Sequence, residues 1–434
     1  MLINMIELAK RLFPINRSIT GDGVRQTLSL ISEYISLEIV EIRSGTKAFD
    51  WVVPQEWVIR DGYVKDDRGK RVIDYRENNL HVMSYSKPVD MAVPLSKLKN
   101  HLHTLPDQPD AIPYMTSYYQ KNWGFCLSDR SAQLLKDGIY KVLIDSEFID
   151  GSLTYGEILI PGDRDEEIFI STDICHPSMA NNEISGPVVA TFIAEWLQRQ
   201  HLTYTYRIVF IPETIGSIVY LSRNLDKLRK NVIAGFVLSC MGDERCYSYV
   251  ASPYENTVSD KVAKDALSSR SGKQFRYSYL DGRGSDERHY SSPGADLPMV
   301  TLCRSKFGTY PEYHTSLDDF SVVTETGLTG GFEYVKECIE LIEKNRIYKS
   351  VYIGEPNLGK RGLYQTITKE KGLGQMLWDR KNILAYSNGK NDLFDLSKIT
   401  GRPTRKLIPV IDELVKYGLL KASIPMEAES PAKE

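Results

Sequence analysis

Two histidines and a glutamate stand just beyond runs of apolar residues. His176 follows the run 167–174, Glu213 follows 206–211, and His314 lies in the loop after 297–303. Imidazole nitrogen and carboxylate oxygen together are the donor set of Zn²⁺, and catalytic zinc sites leave one position open for water. Glu213 sits at the mouth of an apolar run, where partial desolvation raises a carboxyl group toward the range of a general base. The plainer reading of Glu213 is a surface glutamate capping the next turn. A lone histidine is more often structural than a ligand. His81, His101 and His103 lie in an aromatic-rich stretch, and His201 ends a helix. His176 and His314 differ because carboxylates accompany both.

Those residues need a scaffold that collects chain ends. Between 138 and 303 the runs 167–174, 206–211, 232–240 and 297–303 have strand length, and helical stretches at 187–200 and 259–269 separate them. Buried strands alternating with helices predict an α/β sheet with a mostly parallel centre, whose functional groups gather beyond the carboxyl ends of the strands. The four ends deliver Asp173 to His176, then Glu213, then Asp243 with Glu244, then Arg304 and the segment Glu312-Tyr313-His314. The charged stretch 283–288 is either a solvated loop or a substrate loop. In the second case Arg283, Arg288 or Arg304 holds an anionic group, Asp286 is a further substrate-binding residue of the loop, and Tyr313 shapes the pocket.

Around this core the character changes twice. Helices are expected to Leu12 and over 24–35. Between 45 and 130 tryptophan, tyrosine and proline crowd in, with short alternating segments at 71–75 and 80–84, which predicts a small β-rich insertion. Asp150-Gly151 predicts a hairpin between strands 141–148 and 154–160. After 347 three short helices (375–386, 393–399, 404–417) and a strand (419–424) resemble a winged helix-turn-helix, with Pro409 expected to kink the third helix. The chain therefore divides into 1–44 with 131–347, an insertion at 45–130, and 348–434.

With 54 basic and 57 acidic residues the chain lacks the cationic excess of a dedicated polyanion binder. Its six cysteines contain no C-x-x-C, no apolar run reaches 18 residues, and Glu7 and Lys10 interrupt the first apolar stretch, so a cytoplasmic protein without a membrane span is expected.

The stretches LFPINRSITGDGVRQTL, GTKAFDWVVPQEW, CHPSMANNEISGPVVA, FIPETIGSIVYLS, DGRGSDERHYSSPGADLP and YPEYHTSLDD together resemble the zinc aminopeptidase family, to which glutaminyl cyclases also belong. Within it they resemble the aminopeptidase-like proteins of polysaccharide biosynthesis. The resemblance implies an aminopeptidase-type mixed sheet flanked by helices, an inserted β-rich domain and a C-terminal winged helix. It also implies departures from a two-zinc centre. Asp173, Asn182, Thr214 and Ser239 stand where the family has metal ligands, while Glu213 and His314 keep the positions of base and last ligand. A site for one zinc, drawn from His176, Glu183 and His314 with Asp243 as a fourth group, is the arrangement expected.

Three functions follow. One is a single-zinc hydrolase of an amide or peptide bond in a small or peptide-like substrate, with Glu213 as base. Another is a catalytically inactive scaffold of peptidase ancestry. The last is a nucleic-acid-binding regulator that uses Arg402, Arg405 and Lys406, against which Asp412, Glu413 and an acidic tail (Glu427, Glu429, Glu434) weigh. The accessory domains offer surfaces for a homodimer.

Overall fold

In a computed structural model of the protein, residues 5–118, 120–364 and 373–425 are described; residues 1–4 and the acidic tail positions Glu427, Glu429 and Glu434 lie outside them. The chain forms two compact units, Met1–Lys336 and Glu337–Glu434.

The four apolar runs form the centre of an eight-stranded sheet. Numbered along the chain, its strands are β1 (Glu38–Arg43), β2 (Ser152–Ile160), β3 (Glu167–Asp173), β4 (Thr205–Ile211), β5 (Val232–Leu238), β6 (Cys246–Val250), β7 (Lys273–Tyr277) and β8 (Met299–Cys303). Their order across the sheet is β1-β2-β4-β3-β5-β8-β6-β7. The pairs β4/β3, β3/β5 and β5/β8 are parallel, while β2 and β6 flank this centre in antiparallel fashion. Every residue of β3, β4 and β8 is buried, as a strand covered on both faces requires. The register sets the site. Asp173 lies opposite Ile211, Thr172 opposite Leu238, and Leu238 opposite Leu302, so four carboxyl ends stop at one level.

The hairpin expected at Asp150-Gly151 does not form. The preceding strand, Ile139–Ile149, pairs on both edges with Glu56–Lys65 and Val89–Pro94 in a separate four-stranded sheet, while β2 pairs with β1 and β4. Turn chemistry alone cannot tell a hairpin from a crossing between sheets. The inserted sheet therefore continues to Ile149, past the expected limit at 130. Segment 80–84 is a single helical turn, Asn79–His81, followed by isolated bridges at Val82 and Ser84 rather than a strand. The second N-terminal helix is Asp22–Ile31, ending four residues early.

The second unit packs helices Leu373–Tyr386, Leu393–Thr400 and Thr404–Lys416 around Leu384, Leu396, Leu407 and Leu414. Asp392 and Asp395 form a reciprocal cap on the middle helix, and Gly401 ends it in the left-handed region (φ 65°). The last helix continues through Pro409. Strand Leu420–Ser423 pairs with Ile347–Ser350, a partner that four residues of sequence do not announce. No described helix is long and apolar enough to cross a membrane.

The helix Ser185–Leu197 starts against the ends of β3 and β5, and only glycine permits its approach. A Cβ on Gly186 would lie 2.5 Å from both the Leu238 carbonyl oxygen and Thr172 Oγ1. Gly186→Ala should therefore destabilise the first unit by about 1–3 kcal/mol through overpacking, read as a lower denaturation midpoint with an unchanged m-value.

Candidate active site

The run after β3 turns back on itself around one buried carboxylate. Glu183 lies in a π-helical turn, Ala180–Ile184, that feeds the helix at Ser185. Its Oε1 accepts the backbone N–H of Cys175 and of His176 (2.7 Å for the latter), and its Oε2 pairs with His176 Nδ1 at 2.6 Å. Glu183 is 1% exposed, so its charge is held entirely by these partners and by buried Arg17. Burial opposes ionisation of Glu183, yet the charge and hydrogen bond of His176 together with Arg17 leave its pKa below the usual value. Burial likewise opposes the imidazolium, and Glu183 overrides it, so His176 titrates above its usual value. Arg17 Nε donates to the His176 carbonyl at 2.9 Å and Nη1 to the Leu12 carbonyl at 2.8 Å, tying the first loop beneath the site.

With Nδ1 occupied, His176 turns Nε2 toward Glu213, whose Oε2 lies 3.6 Å away. The two residues share a cavity of about 140 Å³ whose walls include Ile19, Trp51, Val52, Pro54, Tyr118 and Ile215. Burial raises the pKa of Glu213, against the pull of His176 and Arg288. The His314 ring lies 5.4 Å from that of His176, centroid to centroid, and stacks on Tyr313 at 3.9 Å. Burial, then the neighbouring His176, pushes the His314 pKa down to about 3, so this imidazole is neutral. His314 has a positive φ of 57°, and its carbonyl accepts the N–H of Tyr114 at 2.8 Å.

Tyr114 comes from the insertion and was not signalled by sequence. Its ring meets both histidine rings edge-on, at 5.1 Å from His176 and 5.3 Å from His314, and its hydroxyl pairs with that of Tyr118 at 2.7 Å. An antiparallel bridge, Pro113 to Thr315, brings the two loops together. Only a contact between segments some 200 residues apart makes Tyr114 part of the site.

The other predicted residues separate into two sets. Asp286 is close: burial and the charge of Glu213 raise its pKa to about 7. Arg288 Nη2 donates to Thr214 Oγ1 at 2.8 Å beside Glu213. Asp243 lies deeper, accepting from Asn181 Nδ2, Ser305 N, Ser305 Oγ and Arg245 N, so both its oxygens are engaged in holding loops. Arg304 is buried over the Tyr247 ring at 3.8 Å and donates to the carbonyls of Cys246 and Gly327. Arg283 is exposed and donates to the Leu280 carbonyl. In the second unit Arg402 is paired with Asp379 at 3.1 Å, while Arg405 and Lys406 are exposed. Asp318 was not anticipated. It accepts N–H groups from Asn181 and Asn182 and the Tyr310 hydroxyl, and so ties the turn carrying Glu183 to the loop carrying His314.

Ligating atoms of Cys175, His176 and Glu183 lie within 4.8 Å of one another. This cluster is held together by hydrogen bonds. Glu183 spends its acceptors on N–H donors, Cys175 Sγ accepts the Glu213 N–H at 3.2 Å, and burial followed by the charge of Glu183 pushes the thiol far above its usual pKa. Two other carboxylate oxygens differ from those of Glu183. Asp173 Oδ1 and Asp286 Oδ2 are buried and have no hydrogen-bond partner. Burial first raises the pKa of both aspartates; the charges of Asp286 and then Glu213 add to it at Asp173, and that of Glu213 at Asp286.

The His176–Glu183 pair gives stability a defined pH window. The His176 share, with a raised folded pKa, is complete below the ordinary value of 6.5 and is lost as pH rises through the folded value. The Glu183 share, with a lowered folded pKa, is present above 4.5 and is lost as pH falls through the folded value. In metal-free protein the stability lost on Glu183→Gln should therefore peak between about pH 4.5 and 6.5. The His176 titration midpoint, followed by side-chain ¹⁵N NMR, should move down; an unmoved midpoint contradicts the assignment.

Comparison with known proteins agrees with this architecture. Residues 6–345 match the model of a domain of unknown function, DUF4910, and 346–422 match a winged helix-turn-helix. A Clostridium acetobutylicum protein is 45% identical over 97% of this chain and 96% of its own length. Its name provisionally assigns it to polysaccharide biosynthesis, with an aminopeptidase-like domain. A crystal structure from C. acetobutylicum, provisionally named a peptidase, superposes with a TM-score of 0.90 at 43% identity, covering 96% of both chains. The zinc aminopeptidase BSAP of Bacillus subtilis shares the fold at a TM-score of 0.55 and 12% identity, covering 78% of this chain and 94% of its own. The chain belongs to the DUF4910 family, an aminopeptidase-like α/β fold followed here by a winged helix.

Proposed function

We propose that this protein is a hydrolase of an amide or peptide bond that works with a single zinc-class ion, held by His176 and His314 together with an aspartate of the Asp173/Asp286 pair. The observation that carries the reading is an excess of buried acceptors. Two aspartate oxygens lack any donor, three carboxyl groups repel one another, and the neutral imidazole of His314 lies 5.4 Å from the His176 ring, centroid to centroid. Unpaired buried acceptors of this kind are costly, and a cation is the group that would satisfy them. Imidazole with carboxylate suits zinc. Glu183 on the far nitrogen of His176 is the outer carboxylate that metal-binding histidines commonly use to fix their tautomer.

A bound zinc ion would polarise the scissile carbonyl and lower the pKa of a bound water. The chain's own residues supply the remainder. Glu213 takes the proton of the attacking water and returns it to the leaving amine, a role suited to a carboxylate whose pKa is raised by burial. Ile19, Trp51, Val52, Pro54 and Ile215 exclude water and leave room for a small apolar part of the substrate. Cys175 is no nucleophile here, since its thiol is held neutral. The name of the C. acetobutylicum relative suggests a setting in polysaccharide biosynthesis.

Metal analysis of protein purified without chelator, combined with Glu213→Gln, tests this reading. About one zinc-class ion per chain is expected, lost in His176→Ala and kept in Glu213→Gln. Hydrolysis of a panel of aminoacyl p-nitroanilides should fall by at least about 10²-fold in Glu213→Gln. Protein without such a metal, or a glutamine variant of full activity, contradicts it.

A further inference from the structure

Glu213 is followed by a residue whose backbone is strained. Thr214 has φ 66° and ψ −80°, and the N–H of Ile215 donates to the Glu213 carbonyl at 2.9 Å. That is the classic γ-turn, close to (+75°, −65°), which is rare and costly for a β-branched residue. Thr214 also occupies the N-cap position of the helix Ile215–Asn231, yet its side chain makes no capping bond there. Its Oγ1 instead accepts from Arg288 Nη2 at 2.8 Å, and its N–H donates to Asp286 Oδ1 at 2.8 Å. Ser217 Oγ donates to the same Asp286 oxygen at 3.0 Å. The other two nitrogens of Arg288 also donate, Nε to His289 Nε2 at 3.1 Å and Nη1 to the Gly284 carbonyl at 2.9 Å. On the other side, the Glu213 N–H is held by Cys175 Sγ.

A threonine persists in such a conformation only when its surroundings impose it, and such strain gathers where a side chain must be aimed. We propose that Thr214, clamped by Asp286 and Arg288, is a positioning residue. The γ-turn directs the Glu213 carboxylate into the cavity toward His176 Nε2 instead of along the axis of the following helix. Arg288 then serves this clamp rather than the substrate, because each of its three nitrogens already donates within the protein. The inference deepens the hydrolase reading and rests on it for its kinetic consequence, although the geometric consequence stands alone.

Three variants and one combination test it. In Thr214→Gly the turn remains accessible without strain, because glycine adopts positive φ freely, but the hydroxyl anchor is lost. The expected result is a folded protein with parental metal content whose kcat falls by about 10- to 100-fold, as misplacement of a catalytic group by about 1 Å does, with KM unchanged. Arg288→Met should show the same split, and the two changes should combine to less than the product of their separate effects, since both remove one contact. Thr214→Ser, which keeps the hydroxyl, should restore most of the rate. A crystal structure of Thr214→Gly supplies the reading that needs no turnover: the Glu213 carboxylate should leave its 3.6 Å approach to His176 Nε2. Glu213 unmoved in that structure, or a rise in KM alone in Arg288→Met, overturns the clamp. A parental protein that hydrolyses nothing, with Glu213 displaced in Thr214→Gly, refutes the hydrolase reading and keeps the clamp.

Discussion

One buried carboxylate organises this molecule's cleft. Glu183 enters an interior that should reject its charge, and it is tolerated because the chain after β3 bends to present two backbone N–H groups and an imidazole to it. That bend fixes which nitrogen of His176 faces the cavity. The helix behind Glu183 must approach the sheet closely, which is why glycine stands at 186 and why Thr172 and Leu238 lie within contact of it. Arg17, drawn from the first loop, completes the arrangement from below and makes the N-terminal segment part of the site.

Charge is distributed unevenly across the cleft. On one side Glu183 is fully partnered, and its neighbour His176 is made more basic. On the other side Asp173, Glu213 and Asp286 crowd together, short of donors, and His314 is kept neutral. Glu183 has its counter-charges and donors within the protein, whereas Asp173 Oδ1 and Asp286 Oδ2 have no donor. This contrast separates the structural carboxylate from the candidate ligands. Asp243 belongs with the structural ones, because four donors already satisfy it.

Much of this was legible in the chain. Apolar runs of strand length, each closed by a polar residue, gave away the parallel centre, and the common level of the strand ends brought His176, Glu213 and His314 into one cleft. What sequence could not supply were distances in three dimensions. Spacing alone cannot tell that Glu183 grips the backbone, that Arg304 lies flat over Tyr247, or that Tyr114 roofs two histidines from a segment that looked like an accessory domain. The Asp150-Gly151 pair shows the same limit from the other side. A strong local turn signal is silent about which sheet each flanking strand joins.

The central claim is that His176 and His314 share one cation. Anomalous diffraction at the zinc edge from crystals grown with zinc tests it most directly. The account predicts a single peak at bonding distance from His176 Nε2 and a nitrogen of His314, with Glu183 still on His176 Nδ1. A peak on Glu183 and Cys175 instead, or none in the cleft, would contradict it.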